Sequence, residues 1–184
     1  MAELNTVLEQ IDRSDFAGLR DATAIELLYG TGIRQAELIG LKISDIDWAQ
    51  GQMRVLGKRN KERLVPIIPA LATTLKHYVT QRKNWPGTSV HSFLLVTNKG
   101  NKTYPAFVYR LIKTYFRSVS NKISTSPHVL RHSFATHMLD AGADINVVKE
   151  ILGHESLAAT QEYTKVQLPK VQDAYRAAHP RAKK

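Results

Sequence analysis

Apolar residues recur at helical spacing along most of this chain, and one short stretch changes period. Leu4 to Ile11 reads as a first helix. Between Asp15 and Tyr29, Leu19, Ala22, Ile25, Leu28 and Tyr29 fall on one face of a second helix, which Thr31-Gly32 stops. A short helix from Arg34 to about Gly40 offers Ala36, Leu38 and Ile39 to the core. The period then drops towards two. Ser44 to Trp48, Gln52 to Leu56 and Arg63 to Ile67 read as short strands, with Gly57 to Glu62 as a polar turn.

Helical spacing returns at Pro69, which opens a helix to about Asn84, ended by Trp85-Pro86-Gly87. Phe93 to Val96 is a candidate further strand. Pro105 to about Ser118 is amphipathic. Phe107, Val108, Leu111, Ile112 and Tyr115 form its apolar face, and Arg110, Lys113 and Arg117 form a basic one. Ser126-Pro127 combines an N-cap with proline at the first helical position, and that helix runs to Ala141 before Gly142. Further helices run from Asp144 to Leu152, ended by Gly153, from Ser156 through Tyr163, and from Pro169 to about Ala178. The prediction is a mainly α domain with a small antiparallel β-sheet near its start.

Composition narrows the function. Lys and Arg total 26 against 16 Asp and Glu, a net charge of +10, which favours an anionic partner such as nucleic acid. There is no cysteine, so disulfides, thiolate catalysis and cysteine-based zinc sites are excluded. Met1 to Gln10 is no signal peptide and no apolar run reaches membrane-spanning length, so a soluble cytoplasmic protein is expected.

Several positions carry possible chemistry, each with a plainer alternative. His128 and Arg131 stand one turn apart at a helix N-terminus, whose free N–H groups and positive dipole end suit a phosphate. The alternative is a capped surface helix. Arg34 and Glu37 also stand one turn apart, either beside a site or as a surface ion pair. Lys58, Arg59 and Lys61 crowd the hairpin turn, and such a turn is commonly just solvated. His154 follows Gly153 at a helix end, where imidazole often caps carbonyls, and Tyr163 on a helix can be simple packing.

In combination these positions resemble the tyrosine site-specific recombinase, or phage integrase, family. Leu27 to Leu41, L-L-Y-G-T-G-I-R-Q-A-E-L-I-G-L, looks like the family's first signature box. Ser126 to Gly142, S-P-H-V-L-R-H-S-F-A-T-H-M-L-D-A-G, looks like the second, and Leu152 to Thr164, L-G-H-E-S-L-A-A-T-Q-E-Y-T, like the third. Gly57 to Pro66, G-K-R-N-K-E-R-L-V-P, resembles the hairpin lysine element. That hairpin and the ending A-A-H-P-R-A, Ala177 to Ala182, are most similar to Xer-type recombinases, which resolve chromosome dimers. Glu155 departs from the pattern, in which a small residue follows the histidine.

The resemblance implies a DNA breaking and rejoining fold, with Arg34, Lys58, His128, Arg131, His154 and Tyr163 as the catalytic set and Glu37 in support. Charge developing on a phosphodiester in its transition state needs fixed cations. Arg34 and Arg131 offer planar forks, His128 and His154 further donors, Tyr163 a nucleophile, and Lys58 a proton for the leaving oxygen. No metal, cofactor or ATP is expected.

Double-stranded DNA is the implied partner, with Arg59, Lys61, Arg110, Lys113 and Arg117 as candidate contacts. The implied assembly is a homo- or hetero-tetramer on DNA near the nucleoid. In it the last helix, through Leu168, Val171, Ala174 and Tyr175, docks on a neighbour; its alternative is folding back on its own core. Residues 1–184 are expected to be one catalytic domain, with 168–184 as exchange helix and tail, lacking the family's N-terminal DNA clamp. The competing activities are type IB topoisomerase-like relaxation of DNA, or DNA binding without catalysis. The separate mobile-element role, integration, shares the chemistry of dimer resolution.

Overall fold

The structure, a computed structural model, describes residues 2–86, 92–117, 119, 126–153, 167–179 and 181–182. Among them are eight α-helices and a three-stranded sheet: α1 (Ala2–Gln10), α2 (Phe16–Thr31), α3 (Gln35–Gly40), β1 (Ile46–Asp47), β2 (Gln52–Leu56), β3 (Glu62–Pro66), α4 (Pro69–Asn84), α5 (Pro105–Arg117), α6 (Pro127–Asp140), α7 (Ile145–Leu152) and α8 (Gln167–Ala178). The proposed helix through Ser156 and Tyr163 lies outside the described residues.

The architecture is built around α2. Asp15 caps its start by accepting from the Gly18 N–H at 2.7 Å, and Gly32 ends it with φ 62 and an N–H donated to the Leu28 carbonyl. Helices α3, α4, α5 and α6 pack around it. The single apolar stripe read from the sequence is therefore too narrow, because α2 is buried nearly all round, including Arg20, Thr23 and Glu26. A helix enclosed on every side must satisfy its polar groups internally. Thr23 and Thr31 donate back to the Leu19 and Leu27 carbonyls, and Glu26 receives Arg13 at 2.8 Å and Arg181 at 3.6 Å.

The sheet has order β1-β2-β3, antiparallel throughout, with Met53 opposite Val65 and Val55 opposite Arg63. Period-two alternation puts those four side chains on the inner face and Arg54 and Glu62 on the outer. The strand expected over Ser44 to Trp48 shrinks to Ile46–Asp47, after a 3-10 turn at Ile43–Asp45. Local carboxylates win the backbone there: Asp45 accepts from the Lys42 N–H at 2.8 Å, and Asp47 from Ala49 and Gln50 at 3.0 and 2.9 Å. Phe93 to Val96 likewise forms no strand, only single bridges from Phe93 to Lys42 and from Val96 to Lys102. Ala36, expected in the core, is exposed, whereas Leu38 and Ile39 are buried. Helix α8 begins two residues ahead of Pro169, which a first helical turn tolerates.

Of the two readings of the last helix, docking on a neighbouring protomer and folding back on its own core, the single chain adopts the second. Val171, Tyr175 and Ala178 are buried within their own chain, where α8 meets β3, α6 and α7. The Tyr175 hydroxyl donates to the Gly30 carbonyl, His179 Nε2 approaches the same oxygen at 3.0 Å, and both rings lie against Phe134. A buried phenol is stabilised by an acceptor and ring neighbours, and Tyr175 finds both within its own chain. Among the described residues, no helix is long and apolar enough to cross a membrane.

The turn between α2 and α3 depends on Gly32. A Cβ there would sit 2.4 Å from Phe134 Cδ1 and 2.7 Å from Leu152 Cδ2, on a backbone with positive φ. Gly32→Ala is expected to destabilise by about 2–5 kcal/mol, the left-handed penalty plus overpacking. A urea titration reads it; an unchanged midpoint would mean that the α6 and α7 side chains yield freely.

Candidate active site

The turn after Gly32 delivers Arg34 to the start of α3. Its backbone N–H donates to Glu37 Oε2 at 2.7 Å and its Nη1 to Glu37 Oε1 at 2.9 Å. This is no surface pair, because the Glu37 side chain is only 4% exposed. A second guanidinium explains how the carboxylate tolerates burial. Arg63, on the inner face of β3, forks both Glu37 oxygens at 2.8 Å. Burial alone would raise the Glu37 pKa. Hydrogen bonds from Arg63 and from the Arg34 backbone, with the Arg63 charge, outweigh it and hold the carboxyl below its usual value.

Arg131 completes the group from α6. Its Nη1 donates to the Gly32 carbonyl and its Nη2 to the Leu152 carbonyl at 2.7 Å. Burial, then the nearby Arg34 charge, pushes its pKa down to about 10, so it remains a cation at neutral pH.

The three arginines meet at one feature, the C-terminus of α7. The carbonyls of Ile151, Leu152 and Gly153 receive Arg63 Nε at 2.7 Å, Arg131 Nη2 at 2.7 Å and Arg34 Nη2 at 3.3 Å, one guanidinium to each. A helix end leaves such carbonyls unpaired and carries partial negative charge, so it both attracts and orients cations. Gly153 makes the close approach possible. Its φ is 64, and a Cβ there would lie 3.1–3.2 Å from Arg63 Cδ, Nε and Nη1.

His128 is exposed in the first turn of α6, one turn ahead of Arg131, beyond the Ser126 cap that accepts from the Val129 N–H. Lys58, Arg59 and Lys61 are exposed at the β2–β3 turn, where Arg59 and Asn60 have φ 56 and 62. His154 and Tyr163 lie outside the described residues, although the carbonyl of Gly153, the residue before His154, is bound by Arg34. On α5, Arg110, Lys113 and Arg117 are exposed, and Arg110 donates to the Tyr104 hydroxyl at 2.8 Å and lies over its ring.

The structure thus gathers Arg34, Glu37 and Arg131, and adds Arg63, which sequence reading assigned only to a strand. A signal was present: in β3 the alternation that buries Val65 also turns Arg63 inward. A charge on an inner face needs a counter-charge.

Glu37→Gln is expected to cost about 3–5 kcal/mol, because Arg63 stays buried without its counter-charge. The pH dependence has a definite sign. The folded pKa lies below the usual 4.5, so this stabilisation is present above 4.5 and is lost as pH falls through the folded value. Urea midpoints measured from neutral pH downwards should lose that acid step in the variant; equal stability at neutral pH would contradict the burial of an indispensable carboxylate.

Residues 1–168 match the family described as "Phage integrase family". The chain is 43% identical over 168 residues to the tyrosine recombinase XerC of Chlorobaculum tepidum, covering 89% of this chain and 50% of that protein. It is 40% identical over 184 residues to XerC of Myxococcus xanthus, covering 98% and 61%. The chain therefore spans between half and about three fifths of these relatives' length. Among solved structures, a crystal structure of XerA recombinase superposes with TM-score 0.76 at 29% identity, covering 98% of this chain and 64% of that one. XerH site-specific recombinase bound to its difH substrate superposes with TM-score 0.74 at 26% identity, covering 92% and 50%. With a family match over nearly the whole sequence and relatives at 40% identity or more, the chain belongs to the phage integrase family of tyrosine recombinases.

Proposed function

We propose that this chain is the catalytic part of a site-specific recombinase that cleaves and rejoins double-stranded DNA through a covalent phosphotyrosine. The observation that carries the reading is the cluster of guanidinium groups held at the end of α7, with Glu37 shared between two of them. Such preorganised cations oppose charge that develops on a phosphodiester in its transition state. Each guanidinium has five N–H donors, so contacts with carbonyls orient Arg34 and Arg131 while leaving donors for phosphate oxygens.

Tyr163 gives its phenolic proton to water as its oxygen attacks phosphorus, and the phosphodiester bond to the 5′-oxygen breaks. The tyrosine becomes the 3′-phosphate ester, and Lys58 gives the leaving 5′-oxygen its proton. His128 and His154 donate to the phosphate. Bond energy is kept in the ester, so a 5′-hydroxyl of the partner duplex reverses the step without ATP and yields a Holliday junction. The similarity to XerC and to the DNA-bound XerH complex supports double-stranded DNA as substrate and chromosome-dimer resolution, or integration of a mobile element, as the role. The basic hairpin turn and the Arg110, Lys113 and Arg117 stripe supply contacts to it.

Four protomers on two duplexes complete the proposal, in the cytoplasm with the nucleoid. Because Val171, Tyr175 and Ala178 are covered by their own chain, docking on a neighbour through them requires α8 to leave that position first. The test of activity is a nicked suicide duplex, from which the cleaved 5′ end diffuses away and traps the intermediate. A covalent DNA adduct mapping to Tyr163 is the expected result; tight binding with no adduct would make the chain a DNA-binding module instead.

A further inference from the structure

Arg63 has no direct contact with the phosphate in the scheme above, yet its side chain makes more hydrogen bonds than that of Arg34 or Arg131. Its two Nη atoms fork Glu37 at 2.8 Å and its Nε reaches the Ile151 carbonyl at 2.7 Å, with only 6% of the side chain exposed. It joins its own strand to α3 and to the end of α7. It also lies under the root of the hairpin. A Cβ on Gly57, the residue before Lys58, would be 3.7 Å from both Arg63 Nη1 and Glu37 Oε1. The Gly57 N–H closes the turn on the Lys61 carbonyl at 2.8 Å.

We propose that Arg63 is a positioning residue that holds the β2–β3 hairpin, and Lys58 with it, in register with Arg34 and with the α7 end that leads into His154. A buried ion pair is a poor way to gain stability alone, since apolar residues of equal volume commonly do as well. What a fork adds is angle as well as distance. Arg63 spends all three nitrogens on groups from two other elements, so rotation of the hairpin root relative to α3 or α7 would break bonds to a buried charge. The role of Lys58 as proton donor rests on the function proposed above; the fixing of the hairpin does not.

The test uses Arg63→Lys, which keeps charge and loses the fork, and Arg63→Met, both in the whole 184-residue chain. Amide hydrogen exchange gives the first readout. Gly57 should exchange at least about tenfold faster in both variants while Leu75 and Tyr78 in α4 keep their rates. The second readout is cleavage of the nicked duplex with oxygen or sulfur as the leaving atom, because a thiolate leaves without a donated proton. The oxygen rate should fall roughly a hundredfold, the scale of a misplacement near one ångström. The sulfur rate should stay near that of the parent chain.

Unchanged Gly57 exchange, or exchange that rises equally in α4, would overturn the inference and leave Arg63 a structural ion pair. Selective loosening of Gly57 without rescue by sulfur supports the positioning and removes Lys58 as the donor. A parent chain that forms no adduct removes the proposed function, and the exchange rates still decide Arg63.

Discussion

Tyr163→Phe is expected to abolish the covalent DNA adduct while leaving folding and DNA binding nearly unchanged. The variant loses one hydroxyl and nothing else. If that oxygen is the nucleophile, no ester can form. Binding, by contrast, is dominated by phosphate contacts from Lys and Arg, so the dependence of affinity on salt should be the same in both proteins. The other tyrosines sharpen the expectation. Of the seven in the chain, Tyr29 and Tyr78 are buried, and burial pushes both phenols up to about 12. Burial, with Asp21 beside it, does the same to half-buried Tyr115, and burial raises Tyr175 further still. A phenol that resists ionisation inside the core cannot reach a phosphodiester. Tyr104 and Tyr109 on the α5 side are exposed, so they are the competitors to exclude. Tyr104→Phe and Tyr109→Phe should keep the adduct. Its persistence in Tyr163→Phe, with the adduct peptide mapping elsewhere, would move the nucleophile to one of them.

What the sequence showed and what it hid divide along physical lines. Local signals translated directly. Ser126-Pro127 starts α6 and Gly153 ends α7 in the left-handed region, while Asp144, read from the sequence as the first residue of that helix, stands just ahead of it as its cap and accepts from the Asn146 N–H at 2.7 Å. Arg34 and Glu37, three residues apart, could be paired on paper and are paired in the fold. The partner that decides the fate of Glu37 could not. Arg63 is 26 positions away, and only the packing of β3 on α3 and α7 brings it in. The acceptors at Ile151, Leu152 and Gly153 are backbone carbonyls, which no letter of the sequence distinguishes. The burial of α2 on nearly every side was hidden for the same reason: its stripe shows one face, while the helices that cover the others come from distant parts of the chain. For helix α8 the sequence leaves open both docking on a neighbour and folding back on its own core, because amphipathicity states that a face will be covered and not by what.

Lys58→Ala is expected to slow cleavage of an oxygen-leaving substrate by about 10² to 10⁴, the usual contribution of a positioned general acid. An alkoxide leaving group is strongly basic and must be protonated as the bond to phosphorus breaks, whereas a thiolate leaves unassisted. The sulfur substrate should therefore restore the Lys58→Ala rate. Charge is the competing explanation, because Lys58 is an exposed cation on a turn that also carries Arg59 and Lys61. Lys58→Arg separates the two. A guanidinium keeps the positive charge and does not give up its proton in a protein, so the Arg variant should be slow with oxygen and fast with sulfur, like Ala. A phosphate contact behaves differently: its loss should lower the salt slope of binding by about 0.9, and Arg should replace it well. Neighbouring Lys61, on the other side of the turn, provides the control. Lys61→Ala should weaken binding with little change in the ratio of oxygen to sulfur rates. If instead the sulfur substrate stays slow in Lys58→Ala, or Lys58→Arg cleaves the oxygen substrate at the parent rate, Lys58 is a phosphate ligand and the proton comes from elsewhere; a collapsed ratio in Lys61→Ala would then identify the donor.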